Sequence, residues 1–182
     1  ERHGINEVLV NLHAHAEQVR AWIHGFQPKT GVRIVPFYEK ILLGSAGTLW
    51  HQRNFVAGEP SFLIAYADNL TDIDLSDMIQ AHKTYRRDGG ILTMGLFSTP
   101  NPSGCGIVSL APDNRITSFV EKPENPVGNL ANAGIYVSSE HLFDFFPEKA
   151  DRAGADILDL GFDVIPRLIG RMFGYQVTGY IR

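Results

Sequence analysis

Apolar residues recur with two different spacings in the first half of this chain, one typical of strands and one of helices. The predicted strands are residues 7–11, 32–38, 62–67 and 91–97. The predicted helices are residues 16–23, a short segment from the turn 43–48 to about Phe55, and a segment between Asp74, a good N-cap, and Gly89-Gly90. Strands that alternate with helices favour a parallel sheet with helices on its faces.

The second half of the chain changes character. Two strand-like runs, 106–110 and 116–120, flank the turn-forming tripeptide Pro112-Asp113-Asn114 and predict a hairpin. The later predicted elements are a buried strand at 131–137, a short helix at 140–146, part of a helix at 164–169 and a strand-like segment at 173–181. We therefore predict a single α/β domain over residues 1–182, with a mostly parallel sheet flanked by helices and an added antiparallel hairpin.

Composition narrows the classes of function. Sixteen Lys and Arg against twenty Asp and Glu give a formal charge of −4, and without a long basic run nucleic acid is not expected as a partner. The single cysteine, Cys105, excludes an internal disulfide and fits a reducing compartment. No apolar stretch approaches the ~20 residues needed to cross a bilayer, and the first residues do not resemble a signal peptide. We expect a soluble, cytoplasmic domain with no membrane partner.

Asp68 is the first candidate for chemistry. It follows the apolar run 62–67, which has the composition of a strand buried on both faces of a parallel sheet. Open α/β sheets bind ligands beyond the carboxyl ends of their strands, so a carboxylate there is a candidate ligand for a cation that carries phosphates. The alternative is that Asp68 only turns the chain, because Asp is favoured in turns.

Three later motifs offer further candidates. In Leu43-Gly44-Ser45-Ala46-Gly47-Thr48, two glycines lie where a strand meets a helix, and free amides at a helix N-terminus suit a polar or anionic ligand. Lys122 carries a point charge suited to phosphate, and Asn132 carries an amide that can bond sugar hydroxyls. The alternatives are an ordinary turn, an exposed surface lysine and a turn-forming asparagine.

The remaining reactive residue types point to no chemistry. His13 and His15 are two residues apart and do not converge as an i, i+4 pair does, so zinc is not expected. Cys105 has no evident activating partner in the sequence. A serine hydrolase has no support, because the chain contains no Gly-x-Ser-x-Gly elbow.

Five motifs in order resemble the sugar-1-phosphate nucleotidyltransferase family, the sugar nucleotide pyrophosphorylases, and within it the bacterial mannose-1-phosphate guanylyltransferase-like branch. The motifs span nearly the whole chain. They are Leu43-Gly44-Ser45-Ala46-Gly47, Ala67-Asp68-Asn69, Ser103-Gly104-Cys105-Gly106, Phe119-Val120-Glu121-Lys122-Pro123 and Asn132-Ala133-Gly134-Ile135-Tyr136. Each is common by chance, whereas all five in this order form a specific signal.

The resemblance implies a Rossmann-like nucleotide-diphospho-sugar transferase fold and a role for each motif. Gly44, Ser45, Ala46 and Gly47 would face the base and ribose of a nucleoside triphosphate, with GTP favoured and dTTP, UTP and CTP as alternatives. Asp68 would hold Mg²⁺. A pocket for the sugar 1-phosphate would be lined by Gly106, Glu121, Lys122 and Asn132. Asp68 and Lys122 would be the catalytic residues, and they would align two anions and neutralise their charge without a covalent protein intermediate.

Two features of the family are not found in this sequence. Its N-terminal strand and Gly-x-Gly-x-Arg-x-x-Pro loop would precede Glu1, and the aspartate that supplies a second metal ligand would follow Arg182. We therefore expect a domain truncated at both ends that is nearly inactive alone. Two interior strands would then keep unpaired edges, covered by a segment outside this sequence or by a second copy in a homo-oligomer.

Two alternative functions remain open at this point. The first is a non-catalytic subunit that binds nucleotide sugars or has a regulatory role, keeping the fold without the chemistry. The second is a metal-dependent glycosyltransferase that uses Asp72-x-Asp74 as its metal motif, although Asp74 is better explained as the cap of a helix.

Overall fold

Eight strands and three α-helices form within residues 1–151 and 157–181, which are the residues described by the computed structural model. The strands are β1 (Glu7–Leu12), β2 (Arg33–Tyr38), β3 (Phe62–Ala65), β4 (Leu92–Ser98), β5 (Gly106–Leu110), β6 (Ile116–Glu121), β7 (Leu130–Ser138) and β8 (Met172–Gln176). The helices are α1 (Ala16–Phe26), α2 (Gly44–His51) and α3 (Leu75–Arg87). Short 3-10 segments are Gln27–Lys29, Arg53–Val56, Pro102–Gly104, Glu140–Phe145, Glu148–Asp151 and Ile165–Leu168, and Leu160–Val164 is a π-helical turn. Arg182 lies outside the described residues.

The strands form two sheets. β1 and β2 make a parallel pair, while the other six make one sheet, in which five strands have the order β6-β5-β7-β4-β8 and β3 also pairs with β7. β3 and β5 pair in turn along the same edge of β7, because β4 occupies the other edge over its whole length. In the described residues β1 pairs only with β2 and β3 only with β7, so each keeps one edge without a strand partner.

The α/β class is confirmed, but the sheet is less parallel than the alternation of strands and helices predicts. β4 and β8 run parallel, whereas β7 is antiparallel to β3, β4 and β5. β7 lies between β4 on one edge and β3 and β5 on the other, so its central position alone introduces three antiparallel ladders. The predicted hairpin forms as β5 and β6, with Asn114 at a φ of 66° in its turn.

Successive residues of β7 enter two different hydrophobic clusters, as the period of a strand requires. Tyr136 belongs to the larger cluster, together with the fully buried Leu92 and Leu96 of β4. Ile135 and Val137 belong to the smaller cluster, which also contains Met78 of α3. β7 is therefore covered on both faces, and α3 covers one of them.

Several element boundaries differ from the sequence predictions. α2 begins at Gly44, so the predicted turn is the first turn of the helix. β3 ends at Ala65 instead of residue 67, and β8 is confined to Met172–Gln176, after which Ile181 forms only an isolated bridge with Thr71. The segment 164–169 is not α-helical, because Pro166 lacks an amide hydrogen. Within the described residues, no helix is both long and apolar enough to span a bilayer.

Candidate functional site

The candidate site lies where β3 and β6 end beside residues 132–134 of β7. Just after β3, the Tyr66 amide donates to the Gly134 carbonyl at 3.0 Å. The side-chain amide of Asn69 donates to the Ala133 carbonyl at 2.9 Å. From the other direction, β6 ends at Glu121, which opposes Gly106 of β5. Ile107, the next residue of β5, opposes Ala131 of β7. Glu121 at the end of β6 is therefore level with the first residues of β7, close to the level at which β3 ends.

The glycine turn, residues 44–47, packs against the chain at 157–158. Gly44 has a φ of +81°, and a Cβ there would lie 2.7 Å from Cγ2 of Ile157 and even closer to the Leu158 carbonyl oxygen. The amides of Ala46 and Gly47 donate to that same oxygen at 3.0 and 3.4 Å. The expectation of free amides at this helix N-terminus is therefore corrected: these two are used inside the protein, so the turn presents a shaped surface and not a phosphate cradle.

Ser45 connects the glycine turn to the rest of the site. Its hydroxyl donates to Oδ2 of Asp159 at 3.2 Å and accepts from the Leu160 amide at 2.8 Å. The Tyr66 side chain lies nearby. Asp159 in turn accepts from the Gly161 amide at 2.8 Å through Oδ1, and so caps the π-helical turn.

Two tyrosines and Asn132 continue this network toward β7. The Tyr66 and Tyr136 rings meet edge to face with centroids 6.2 Å apart, and Asn132 donates to the Tyr136 hydroxyl at 2.6 Å. Burial raises the pKa of Tyr66, and burial raises the pKa of Tyr136 well above its ordinary value. Both phenols therefore stay protonated at neutral pH and serve as neutral hydrogen-bonding groups.

Glu121 occupies a space that only glycine neighbours leave open. A Cβ at Gly106 would lie 2.6 Å from its Oε2, and one at Gly161 would lie 2.8 Å from it. Burial and then Asp159 raise the pKa of the Glu121 carboxyl, while Lys122 opposes this shift. A carboxylate that is poorly solvated and repelled by a neighbour gains from new donors, so it is suited to accept hydrogen bonds from ligand hydroxyls.

Lys122 and Asp68 are both exposed, and they follow Glu121 and Tyr66 of this network by one and two residues. Lys122 follows Glu121 with a φ of +45°, a backbone conformation that L-residues rarely adopt and that is common at functional sites. Its amide donates to the Cys105 carbonyl at 3.0 Å. Asp68 follows Tyr66 by two residues and lies in the loop after β3, which ends at Ala65 and not at residue 67 as predicted. The turn at Gly134, with φ +67°, is where the ladder between β3 and β7 stops.

The structure offers Asp68 as a single carboxylate for the predicted Mg²⁺ and not as part of a cluster of metal ligands. Among residues 1–151 and 157–181, no three His, Cys, Asp or Glu side chains converge as a metal site. Mg²⁺ is usually bound through one or two carboxylates together with substrate phosphates and water, so a single exposed aspartate fits a metal that arrives with its nucleotide. His13 is engaged elsewhere: its Nδ1 contacts the Glu39 carbonyl at 2.8 Å.

The Asp72-x-Asp74 alternative does not fit the structure. Asp74 caps α3 by accepting from the amides of Ser76 and Asp77 at 2.9 and 3.4 Å. Asp72 accepts from the Tyr180 amide at 2.6 Å. Both carboxylates accept hydrogen bonds from backbone amides, so a structural role explains each of them without a metal.

The structure therefore joins the glycine turn, Glu121 and Asn132 through side chains that sequence reasoning did not single out. These are Tyr66, Asp159 and, for its hydroxyl, Tyr136. One local signal was available: Asp159 precedes Leu160-Gly161 as an N-cap residue does. No sequence signal shows that Tyr66 lies beside Ser45.

The mixed sheet with a helix packed against it places this chain in the α/β class of proteins. The chain matches the family described as nucleotidyl transferase over residues 1–175, and it therefore belongs to that family.

Similar individual proteins agree with this assignment. A mannose-1-phosphate guanylyltransferase catalytic subunit beta from Dictyostelium discoideum is 29% identical over 80% of this chain and 40% of its own length. A glucose-1-phosphate adenylyltransferase from Desulforamulus reducens is 32% identical over 84% of this chain and 40% of its own length. The chain thus spans about 40% of the length of these curated relatives.

Solved structures show the same fold. HddC from Yersinia pseudotuberculosis superposes with a TM-score of 0.78 at 16% identity, covering 99% of this chain and 73% of HddC. The same protein complexed with GMP-PN gives a TM-score of 0.77 at 16% identity, covering 100% of this chain and 74% of that one.

Proposed function

We propose that this chain contributes the catalytic domain of a sugar-1-phosphate nucleotidyltransferase. An oxygen of the sugar 1-phosphate attacks the α-phosphorus of a nucleoside triphosphate, the bond to the β-phosphate oxygen breaks, and pyrophosphate leaves. The observation that carries the proposal is that Ser45 of the glycine turn is hydrogen-bonded to Asp159, and that a Cβ at Gly161 would lie 3.2 Å from Oδ1 of Asp159 and 2.8 Å from Oε2 of Glu121. This arrangement links the side proposed for the nucleotide to the side proposed for the sugar.

Each proposed role follows from the chemistry of the group. Glu121 and Asn132 offer hydrogen-bonding groups for sugar hydroxyls, and Lys122 supplies a cation for the sugar phosphate. Asp68 would hold Mg²⁺, which neutralises phosphate charge when it is bound. The protein's task is to align two anions that repel each other, so it needs no nucleophile of its own.

The proposed nucleotide is GTP and the proposed acceptor is a hexose 1-phosphate. Support for GTP comes from the names of the relatives called mannose-1-phosphate guanylyltransferase and from the neighbour crystallised with GMP-PN. Relatives named glucose-1-phosphate adenylyltransferase make ATP the competing choice. These are substrates of cytoplasmic metabolism, so we propose a cytoplasmic location.

Calorimetric titration together with a turnover assay tests the proposal. We expect the chain to bind GTP with Mg²⁺, to bind mannose 1-phosphate, and to form nucleotide sugar and pyrophosphate only slowly when both are present. Each nucleoside triphosphate and each hexose 1-phosphate is tried in turn. Binding of nucleotide sugar without any turnover would favour the regulatory subunit, and binding of none of these ligands would refute the proposal.

Asp68→Asn should remove the effect of Mg²⁺ on nucleotide binding. We expect Mg²⁺ to raise the affinity of the wild-type chain for GTP by about tenfold, through charge neutralisation at the phosphates. The variant should bind GTP equally with and without Mg²⁺. Asp72→Asn is the matched control, because asparagine keeps an oxygen that can accept from the Tyr180 amide. The reverse result, with only Asp72→Asn losing the Mg²⁺ effect, would move the metal site to the Asp72-x-Asp74 motif.

Lys122→Met should weaken the binding of sugar 1-phosphate about tenfold or more, since a charge-assisted contact to phosphate is lost. The left-handed backbone at residue 122 is equally strained in both proteins, so the free energy of unfolding should change little. Lys83→Met removes an exposed lysine from α3 and serves as the control in the same titration. Equal affinities of the two variants would show that Lys122 does not meet the phosphate.

A further inference from the structure

A buried carboxylate lies behind the glycine turn and takes no part in the proposed chemistry. Glu39, one residue beyond β2, is only 2% exposed. Within the described residues, no Lys, Arg or His side chain forms an ion pair with it. An isolated buried charge is costly unless hydrogen bonds compensate for it, so the partners of Glu39 indicate what it does.

The two carboxylate oxygens of Glu39 hold the two ends of the glycine turn. Oε2 accepts from the Leu43 amide at 3.3 Å, immediately before Gly44. Oε1 accepts from the hydroxyl of Thr48, immediately after Gly47. The carboxylate also lies at the N-terminal end of α2, where the helix dipole favours negative charge. One side chain thus fixes both flanks of the four-residue turn.

Glu39 itself is held in place by the ends of β1 and β2. Its amide donates to the Leu12 carbonyl at 2.7 Å, and its carbonyl contacts Nδ1 of His13 at 2.8 Å. The Leu158 carbonyl is a second anchor of the turn, because it accepts from the amides of Ala46 and Gly47. The glycine turn is therefore clamped between the two-stranded sheet and the segment at 157–158.

We propose that Glu39 is a positioning residue that fixes the glycine turn in the conformation that binds the base and ribose of the nucleotide, without contacting the nucleotide itself. The inference deepens the proposed function and rests on it for the identity of the ligand. It also accounts for the burial of a charge, because an apolar side chain of similar size would fill the space but could not hold the Leu43 amide and the Thr48 hydroxyl.

Hydrogen exchange followed by mass spectrometry tests the clamp in the unliganded protein. Glu39→Met removes both acceptors, and Thr48→Val removes one donor at constant shape. Both should speed amide exchange in residues 43–48 about tenfold, while exchange in β4 stays as in the wild type, because local opening is separate from global unfolding. Thr48→Ser keeps the hydroxyl and should restore slow exchange. The matched control is Thr84→Val, which removes a hydroxyl bonded to the Gln80 carbonyl on α3.

GTP titration of the same variants shows whether the position of the turn matters for binding. Glu39→Met and Thr48→Val should lower the affinity about tenfold, and Thr48→Ser and Thr84→Val should leave it unchanged. If Glu39 had only a structural role, the variants would have a lower unfolding midpoint but the same affinity for GTP as the wild type. Unchanged exchange in 43–48, or faster exchange with wild-type affinity, overturns the inference. A wild-type chain that binds no nucleotide overturns the proposed function, and the exchange data still decide whether Glu39 holds the turn.

Discussion

The folded chain should lose about 3 kcal/mol of stability between pH 6.5 and pH 4 through His82 alone. This side chain lies on the buried face of α3 and is fully buried, with Nδ1 2.9 Å from the Thr93 hydroxyl and with no hydrogen-bond partner for Nε2 in the described residues. Burial, with a smaller contribution from Arg86, lowers its pKa to about 4. An imidazolium would be desolvated there and would bring a proton that has no acceptor.

The sign follows from the two states. In the unfolded chain the pKa of His82 is near the ordinary value of about 6.5, and in the folded chain it is about 4. Between these values the unfolded state binds more protons, so stability falls as the pH is lowered through this range and is full above it.

Urea unfolding at a series of pH values from 7 to 4 measures the effect. The comparison with His82→Gln isolates this residue from the carboxyl groups, because the variant keeps a hydrogen-bonding group near Thr93 but does not titrate. We expect its stability to fall less steeply with acid than that of the wild type. His24→Gln, at an exposed position on α1, should behave as the wild type does. Parallel curves for wild type and His82→Gln would contradict the prediction.

Local patterns were enough for much of the fold. The N-cap at Asp74, the glycines after α3 and the hairpin of β5 and β6 depend on neighbouring residues, and each was predicted. The end of β3 was not, because it depends on Gly134 of a strand about seventy residues away. Likewise the direction of β7 relative to β4 is set by packing and not by any local pattern.

The candidate site shows the same division. The ordered motifs predicted that the glycines of residues 44–47, Lys122 and Asn132 belong to the site. The contacts that join them depend on Asp159, 114 residues after Ser45, and on Tyr66, which sequence composition assigns to a strand core. Glu39 is followed by Lys40, and two adjacent residues of opposite charge are usually exposed, yet Glu39 is buried. Residues that position others are recognised by burial and partners, and neither can be read from spacing.

Gly44→Ala should destabilise the chain by about 3 kcal/mol or more, and Gly58→Ala by only about 1 kcal/mol. The two glycines have nearly equal φ values, +81° and +82°, so the backbone strain on adding a Cβ is the same. They differ in space: nothing lies within 4 Å of a Cβ at Gly58, whereas one at Gly44 would overlap the Leu158 carbonyl.

That carbonyl accepts from Ala46 and Gly47, and the Leu158 amide donates to the Leu43 carbonyl at 2.9 Å, so displacing it breaks several bonds at once. The difference of about 2 kcal/mol between the two variants therefore reports the contact between the glycine turn and residue 158, free of the strain term. Urea unfolding at pH 7 measures both. Equal losses would mean that the segment at 157–158 yields without cost, and the glycine turn would then be held by Glu39 alone.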